Sequence, residues 1–234
     1  NYTQNSIPEI LNMTEIKIDK SYIKTDPKFG FILKKSSVFE WYRKHGYDLN
    51  VFQTDIMDFC SLGYISYCLS APYRNLSWLS QSNYDLRQKL FVLTSAFLNH
   101  STLWRWIEGA VLIKWGVAKH SVTLPKLFPP VSMVEMVKRV SKSVDLIKPG
   151  AVLFAHILLP HEPPALDDLC NLRPPNEWFP NKIEHDQEYY FAQMNCTYTL
   201  LEELFDSIKK NPQAKNAIVV VHGDHGSRIS INAQ

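Results

Sequence analysis

Two polar clusters each sit directly behind an apolar run, and they hold the residue types best suited to chemistry in this chain. The first places His156, His161 and Glu162 at the end of and just after the run 151–159. The second reads His222-Gly223-Asp224-His225-Gly226-Ser227-Arg228 after the run 217–221. Asp224 offers a hard oxygen and His225 an imidazole, a pair suited to a divalent metal such as zinc or manganese. The glycines on either side allow a sharp turn and a close backbone approach. Taken alone, an Asp-His-Gly is equally a turn after a strand. His156, at the end of its run, is a core histidine or a ligand. His222, two residues before Asp224, shares its side of the chain and suits a supporting role. Arg228 carries a planar fork that holds phosphate oxygens, or it is a solvated surface arginine. Glu162, Asp167 and Asp168 read as surface charges of a loop.

The elements that must carry these clusters are legible as periodicities. Ser37 is a cap for a short helix through Val38, Phe39, Trp41 and Tyr42, with Gly46 at its C-terminal end. Residues 47–54 alternate like a strand. Met133, Val137, Val140, Val144 and Ile147 share one helical face over 131–148, and Pro149-Gly150 stops that helix. The runs 151–159 and 217–221 read as two buried strands. Between them lies a long proline-rich loop (Pro160, Pro163, Pro164, Pro174, Pro175, Pro180), of the kind that often carries function. Residues 186–210 predict a helix with Tyr190, Met194, Tyr198, Leu201, Phe205 and Ile208 on one face and Lys209-Lys210 at its C-terminal end. Helix followed by strand, repeated, predicts an α/β fold with a mostly parallel sheet flanked by helices. The carboxyl ends of strands in such sheets are where ligands bind, and both clusters fall there.

The order of these segments resembles the alkaline phosphatase/sulfatase superfamily. Tyr190, Gln193, Cys196 and Leu200, followed by 217–228, are similar to its helix–strand–metal-loop segment. Pro160-His161-Glu162-Pro163 is similar to the substrate-histidine loop before it. Thr3-Gln4-Asn5-Ser6-Ile7-Pro8-Glu9-Ile10-Leu11 resembles the T-x-x-S-[VI]-P of phosphoethanolamine transferases. Sulfatases carry C-x-P-S-R there, with the cysteine converted to formylglycine; this chain has neither that Cys nor that Arg. The resemblance implies an alkaline-phosphatase-like fold, incomplete at both ends, over a single catalytic domain 1–234 with a Trp-rich helical insertion around 85–119. It implies Thr3 as nucleophile and metal ligand, Asp224 and His225 as metal ligands, and His161 as a contact to the phosphoryl group or its leaving oxygen. His156, His222 and Arg228 are the further residues near substrate or metal. The metal is expected to be zinc or manganese rather than calcium. An acidic ligand and a membrane anchor are expected upstream of Asn1. The implied reaction is hydrolysis or transfer of a phosphoryl group on a phosphorylated envelope lipid, glycan or polymer, through a phosphothreonine. The alternatives are a sulfatase of the same fold, acting on a sulfated counterpart, and a catalytically silent domain that binds an anionic glycan.

Composition limits the other classes. The 234 residues are 45% hydrophobic and 21% charged, as in a globular α/β domain. The 25 basic and 23 acidic residues leave a net charge of +2, without the basic excess of a nucleic-acid binder. The most apolar stretch, 91–117, is broken by Asn99, His100, Arg105, Glu108 and Lys114, and its Trp104, Trp106 and Trp115 suit packing on a domain. Four cysteines allow three disulfide pairings. Closure of the two short loops predicts Cys60–Cys68 and Cys170–Cys196. Disulfides would place the chain in an oxidising, extracytoplasmic compartment, at the periplasmic face of a bacterial inner membrane or the cell surface.

Overall fold

The structure is a computed structural model that describes residues 3–13, 22–26, 30–54, 56–71, 85–87, 89–90, 93, 128–173, 177 and 183–226. Arg228, Trp104, Trp106, Trp115 and most of the expected insertion lie outside them; Leu86, Arg87, Lys89, Leu90 and Leu93 are helical. The chain divides into two compact units. The first comprises Asn1–Pro72, Met136–Ile157 and Leu201–Gln234. The second comprises Tyr73–Glu135 and Leu158–Leu200.

The first unit is built on parallel pairing, as expected. Helix α1 (Thr3–Asn12) leads to strands β1 (Ile23–Asp26) and β2 (Gly30–Leu33), then α2 (Ser37–Lys44), β3 (Asp48–Thr54), β4 (Met57–Asp58) and β5 (Tyr67–Ala71). Helix α3 (Phe128–Lys142) precedes β6 (Ala151–Ala155), and α4 (Ile183–Lys210) follows. Strand β3 lies between β5 and β6, parallel to both; in a second sheet β2 joins β4 in parallel and β1 antiparallel. Central position explains the burial of β3 from Leu49 to Thr54. Its polar Gln53 is tolerated there because its amide donates to Asp58 Oδ1 at 3.1 Å and Ser70 Oγ at 2.8 Å, and accepts from Phe59 N at 2.7 Å. Around β3 pack Ile7, Leu11, Leu33, Phe39, Met57 and Phe59, with Phe39 and Phe59 each edge-on to Phe154.

Helix α1 is locked to α2 by one residue. Asn12 Nδ2 donates to Pro8 O at 2.8 Å and Lys35 O at 3.0 Å, while its Oδ1 accepts from Ser37 N at 2.9 Å. Next to it, Ser36 Oγ donates to Leu11 O and accepts from Phe39 N, so Ser36 rather than Ser37 caps α2. Gly46 follows the C-cap with φ of 79°, as a helix stop of this kind requires. Asn12→Ala strands backbone groups at both helices and is expected to cost about 2–3 kcal/mol, read as a lower urea midpoint.

Three sequence expectations change. Helix α3 ends at Lys142, and β6 is five residues long and only half-buried, because it pairs on one side alone among the described residues. Helix α4 buries Gln193, Cys196, Leu200 and Leu204 instead of the expected face, and leaves Tyr198 55% exposed. The helix is turned because Cys196 is tied to the loop before it by a disulfide and Gln193 by hydrogen bonds. Residues 217–221 are not a strand. They carry no regular structure and pair with no strand among the described residues, with Ile218 90% exposed, since β propensity is expressed only against a neighbouring strand.

Both expected disulfides are formed, Cys60–Cys68 and Cys170–Cys196, across separations of 8 and 26 residues. Loops of these lengths correspond to roughly 2–4 kcal/mol each of lost unfolded-state freedom. They suit an oxidising compartment. No helix among the described residues is long and apolar enough to cross a membrane.

Candidate active site

The carboxyl ends of β3 and β6 carry a polar layer. His156 directly follows β6, continues its ladder by donating its N–H to Phe52 O at 2.9 Å, and packs its ring edge-on to Phe59. It is buried, in keeping with a core histidine. Asp58 is buried at the end of β4, where its carboxylate accepts from Gln53, Cys60 N, Ser61 N and Ser61 Oγ. Three of those contacts hold the turn into Cys60 and the fourth ties it to β3, which gives Asp58 a structural role.

Asp224 and His225 stand together in the same unit. Asp224 Oδ2 is buried with no hydrogen-bond partner among the described residues, and it lies 3.8 Å from His225 Nε2. That gap is too long for a hydrogen bond. The other ring nitrogen, His225 Nδ1, lies 2.9 Å from Gly226 O. A carbonyl only accepts, so Nδ1 carries the hydrogen and the neutral ring keeps its lone pair on Nε2. A buried carboxylate oxygen without a partner therefore faces an imidazole lone pair. Two donors that share one zinc at about 2.0–2.2 Å stand a similar distance apart, so the pair fits a divalent metal. His222 is fixed in the same way, Nδ1 at 2.9 Å from Gly223 O, but it is exposed. Among the described residues no three His, Cys, Asp or Glu side chains gather at one point. Asp224 and His225 alone supply two donors of types that suit a divalent metal.

Thr3 is the first residue of α1, 7% exposed, with Ile7 and Leu11 of the same helix in the core. No hydrogen bond joins it to Asp224 or His225 among the described residues. His161 belongs to the second unit. Its Nδ1 lies 2.7 Å from Glu162 O, which leaves Nε2 as the outward atom of a half-exposed ring. Glu162 and Asp168 are exposed loop charges as expected. Asp167 is more than that: its Oδ1 accepts from Leu169 N at 3.0 Å and Asn171 N at 2.7 Å, and so shapes the loop that Cys170 closes.

Two residues with work to do near these groups have no role in the sequence reading: Asn12, which sets α1, and Gln193, which holds the His161 loop. Gln193 enters the sequence analysis only as one residue of the resemblance, and Asn12 not at all. A hollow of about 780 Å³ opens between the end of α4 and the segment after it, lined by Phe205, Ile208, Ala214, Val219 and Val221. It contains neither Asp224 nor His225.

A family model described as Sulfatase matches residues 1–233. No curated protein and no solved structure matches the chain.

Proposed function

The chain belongs to the sulfatase family, a hydrolase and transferase family whose enzymes generally depend on a divalent metal, and from that premise we propose that it transfers or hydrolyses a phosphoryl group through a phosphothreonine at Thr3. The observation that carries this reading is the unpartnered Asp224 Oδ2 opposite the Nε2 lone pair of His225. A carboxylate in a half-buried turn is held at a cost unless a cation or donor completes it. Thr3 at the nucleophile position, without the Cys and Arg of the sulfatase pattern, favours phosphoryl over sulfuryl chemistry.

When bound at Asp224 and His225, zinc or manganese would supply positive charge to the substrate oxygens and lower the pKa of a nearby hydroxyl. Thr3 Oγ1 releases its proton to solvent and attacks phosphorus; the new P–O bond forms as the bond to the leaving oxygen breaks. His161, protonated at Nε2 and held by its Nδ1–H on Glu162 O, gives the leaving oxygen its proton. Water or an acceptor hydroxyl then displaces Thr3. His161 takes this role from the Pro160-His161-Glu162-Pro163 motif and from the tautomer that Glu162 imposes. The substrate class is a phosphorylated lipid, glycan or polymer of the cell envelope, met outside the cytoplasm.

The test is a metal titration of the stripped protein, with a phosphodiester and a sulfate ester assayed in parallel. Zinc or manganese is expected to restore phosphodiester turnover and leave the sulfate ester intact. Preferred cleavage of the sulfate ester would establish the sulfatase reading instead. Metal and anion binding without turnover of either ester would make the chain a binding domain.

A further inference from the structure

We propose that Gln193 is the positioning residue for His161; the proposal rests on the reading of His161 as the proton donor to the leaving oxygen. Gln193 lies on α4, is 0% exposed, and uses both ends of its amide. Its Nε2 donates to the backbone oxygen of His161 at 2.8 Å, and its Oε1 accepts from Leu166 N at 3.2 Å. One side chain therefore ties two points of the loop, five residues apart, to a rigid helix. The imidazole is fixed in turn by its own Nδ1 against Glu162 O. From helix to ring the chain of contacts runs Gln193 amide, His161 carbonyl, Glu162 carbonyl, His161 ring.

Neighbours on the same helix hold the rest of the loop. Cys196 binds Cys170 by the disulfide, and the ring of Tyr189 lies 4.3 Å beneath the guanidinium of Arg173. Arg173 Nε in turn donates to Leu166 O at 3.1 Å. Cys196 and Tyr189 act on the far end of the loop, at Cys170 and Arg173. Gln193 alone among these three reaches the backbone of His161. A fully buried glutamine is disfavoured unless every polar atom is used. Here each is committed to the loop of the histidine, and the two bonds have opposite polarity. Only an amide of this length supplies a donor at one end and an acceptor at the other, which separates this residue from an ordinary packing position.

That polarity provides a test on the intact protein. Gln193→Glu keeps an acceptor for Leu166 N but, when ionised, has no donor for His161 O. Its kcat is expected to fall about 10- to 100-fold with KM within about twofold, since a small displacement of a catalytic group acts on the reaction rather than on binding. The His161 ring resonances should broaden, while the Leu166 amide stays protected from exchange. As the pH falls and the introduced carboxyl gains a proton, it can donate again, so the ratio of variant to parent activity should rise. Gln193→Leu removes both bonds and should also expose the Leu166 amide; if it fails to fold, Gln193→Glu decides alone. A Gln193→Glu protein with parental kcat and unchanged His161 resonances overturns the proposal. His161→Ala, run in parallel, separates the two failures. Full turnover in His161→Ala overturns the proton-donor role itself. Full turnover in Gln193→Glu beside an inactive His161→Ala overturns only the positioning.

Discussion

Thr3→Ala is expected to lower turnover by about a thousandfold or more, the scale seen when a nucleophile is removed from a covalent mechanism. Metal content and substrate affinity should stay near those of the parent. The hydroxyl is the atom that would be joined to phosphorus, and alanine removes it with little change in volume. The helix it heads should survive, because Ile7 and Leu11 anchor α1 in the core and Asn12 ties its end to α2. Thr3→Ser should retain part of the activity, as the oxygen remains but its rotamer is freer without the β-methyl. Thr3→Cys should not yield a sulfatase, because Gln4-Asn5-Ser6-Ile7 lacks the Pro and Arg that accompany the modified cysteine. Steady-state kinetics beside thermal melts check all three. An alanine variant with parental turnover would reduce Thr3 to a structural residue.

The second large effect is expected at Asp224 and His225. Asp224→Asn and His225→Ala should each bring bound metal, measured by atomic emission on dialysed protein, close to zero. The fold should not suffer. Asp224 Oδ2 has no hydrogen bond to lose, and both side chains retain some exposure, 23% and 13%. A metal that binds only the folded state stabilises the parent by about 2.7 kcal/mol at a hundredfold excess over its Kd. Added zinc or manganese should therefore raise the melting temperature of the parent and leave that of either variant unchanged. Unchanged metal stoichiometry in both variants would remove the site.

Much of the fold was legible because it depends on local patterns. Ser37, one residue past the true cap Ser36, together with Gly46 and the apolar phase of residues 133–140, marks α2 and α3 to within a few residues. Both disulfides follow from the shortness of their loops. The errors have a common cause, which is that partners outside the local window decide the outcome. Residues 217–221 have the composition of a buried strand, yet with no neighbouring strand among the described residues they stay irregular and exposed. On α4 an apolar stripe through Tyr198 is the obvious core face, but Cys170 and the His161 loop hold the Gln193–Cys196 side instead. Of the site, the adjacency of Asp224 and His225 was legible, whereas the tautomer that frees His225 Nε2 was not, because it depends on where Gly226 O lies. Gln193 was visible as part of the resemblance, but its role was not, because its two backbone partners lie about 30 residues earlier in the loop.

The covalent step at Thr3 can be trapped. The metal-loaded protein is mixed with a phosphodiester substrate, quenched in acid during turnover, digested, and mapped by mass spectrometry. One phosphate is expected, on Thr3, that appears with substrate and is absent from the Thr3→Ala protein. Rapid turnover with Thr3 unmodified at every quench time, or phosphate carried on any other residue, would contradict it.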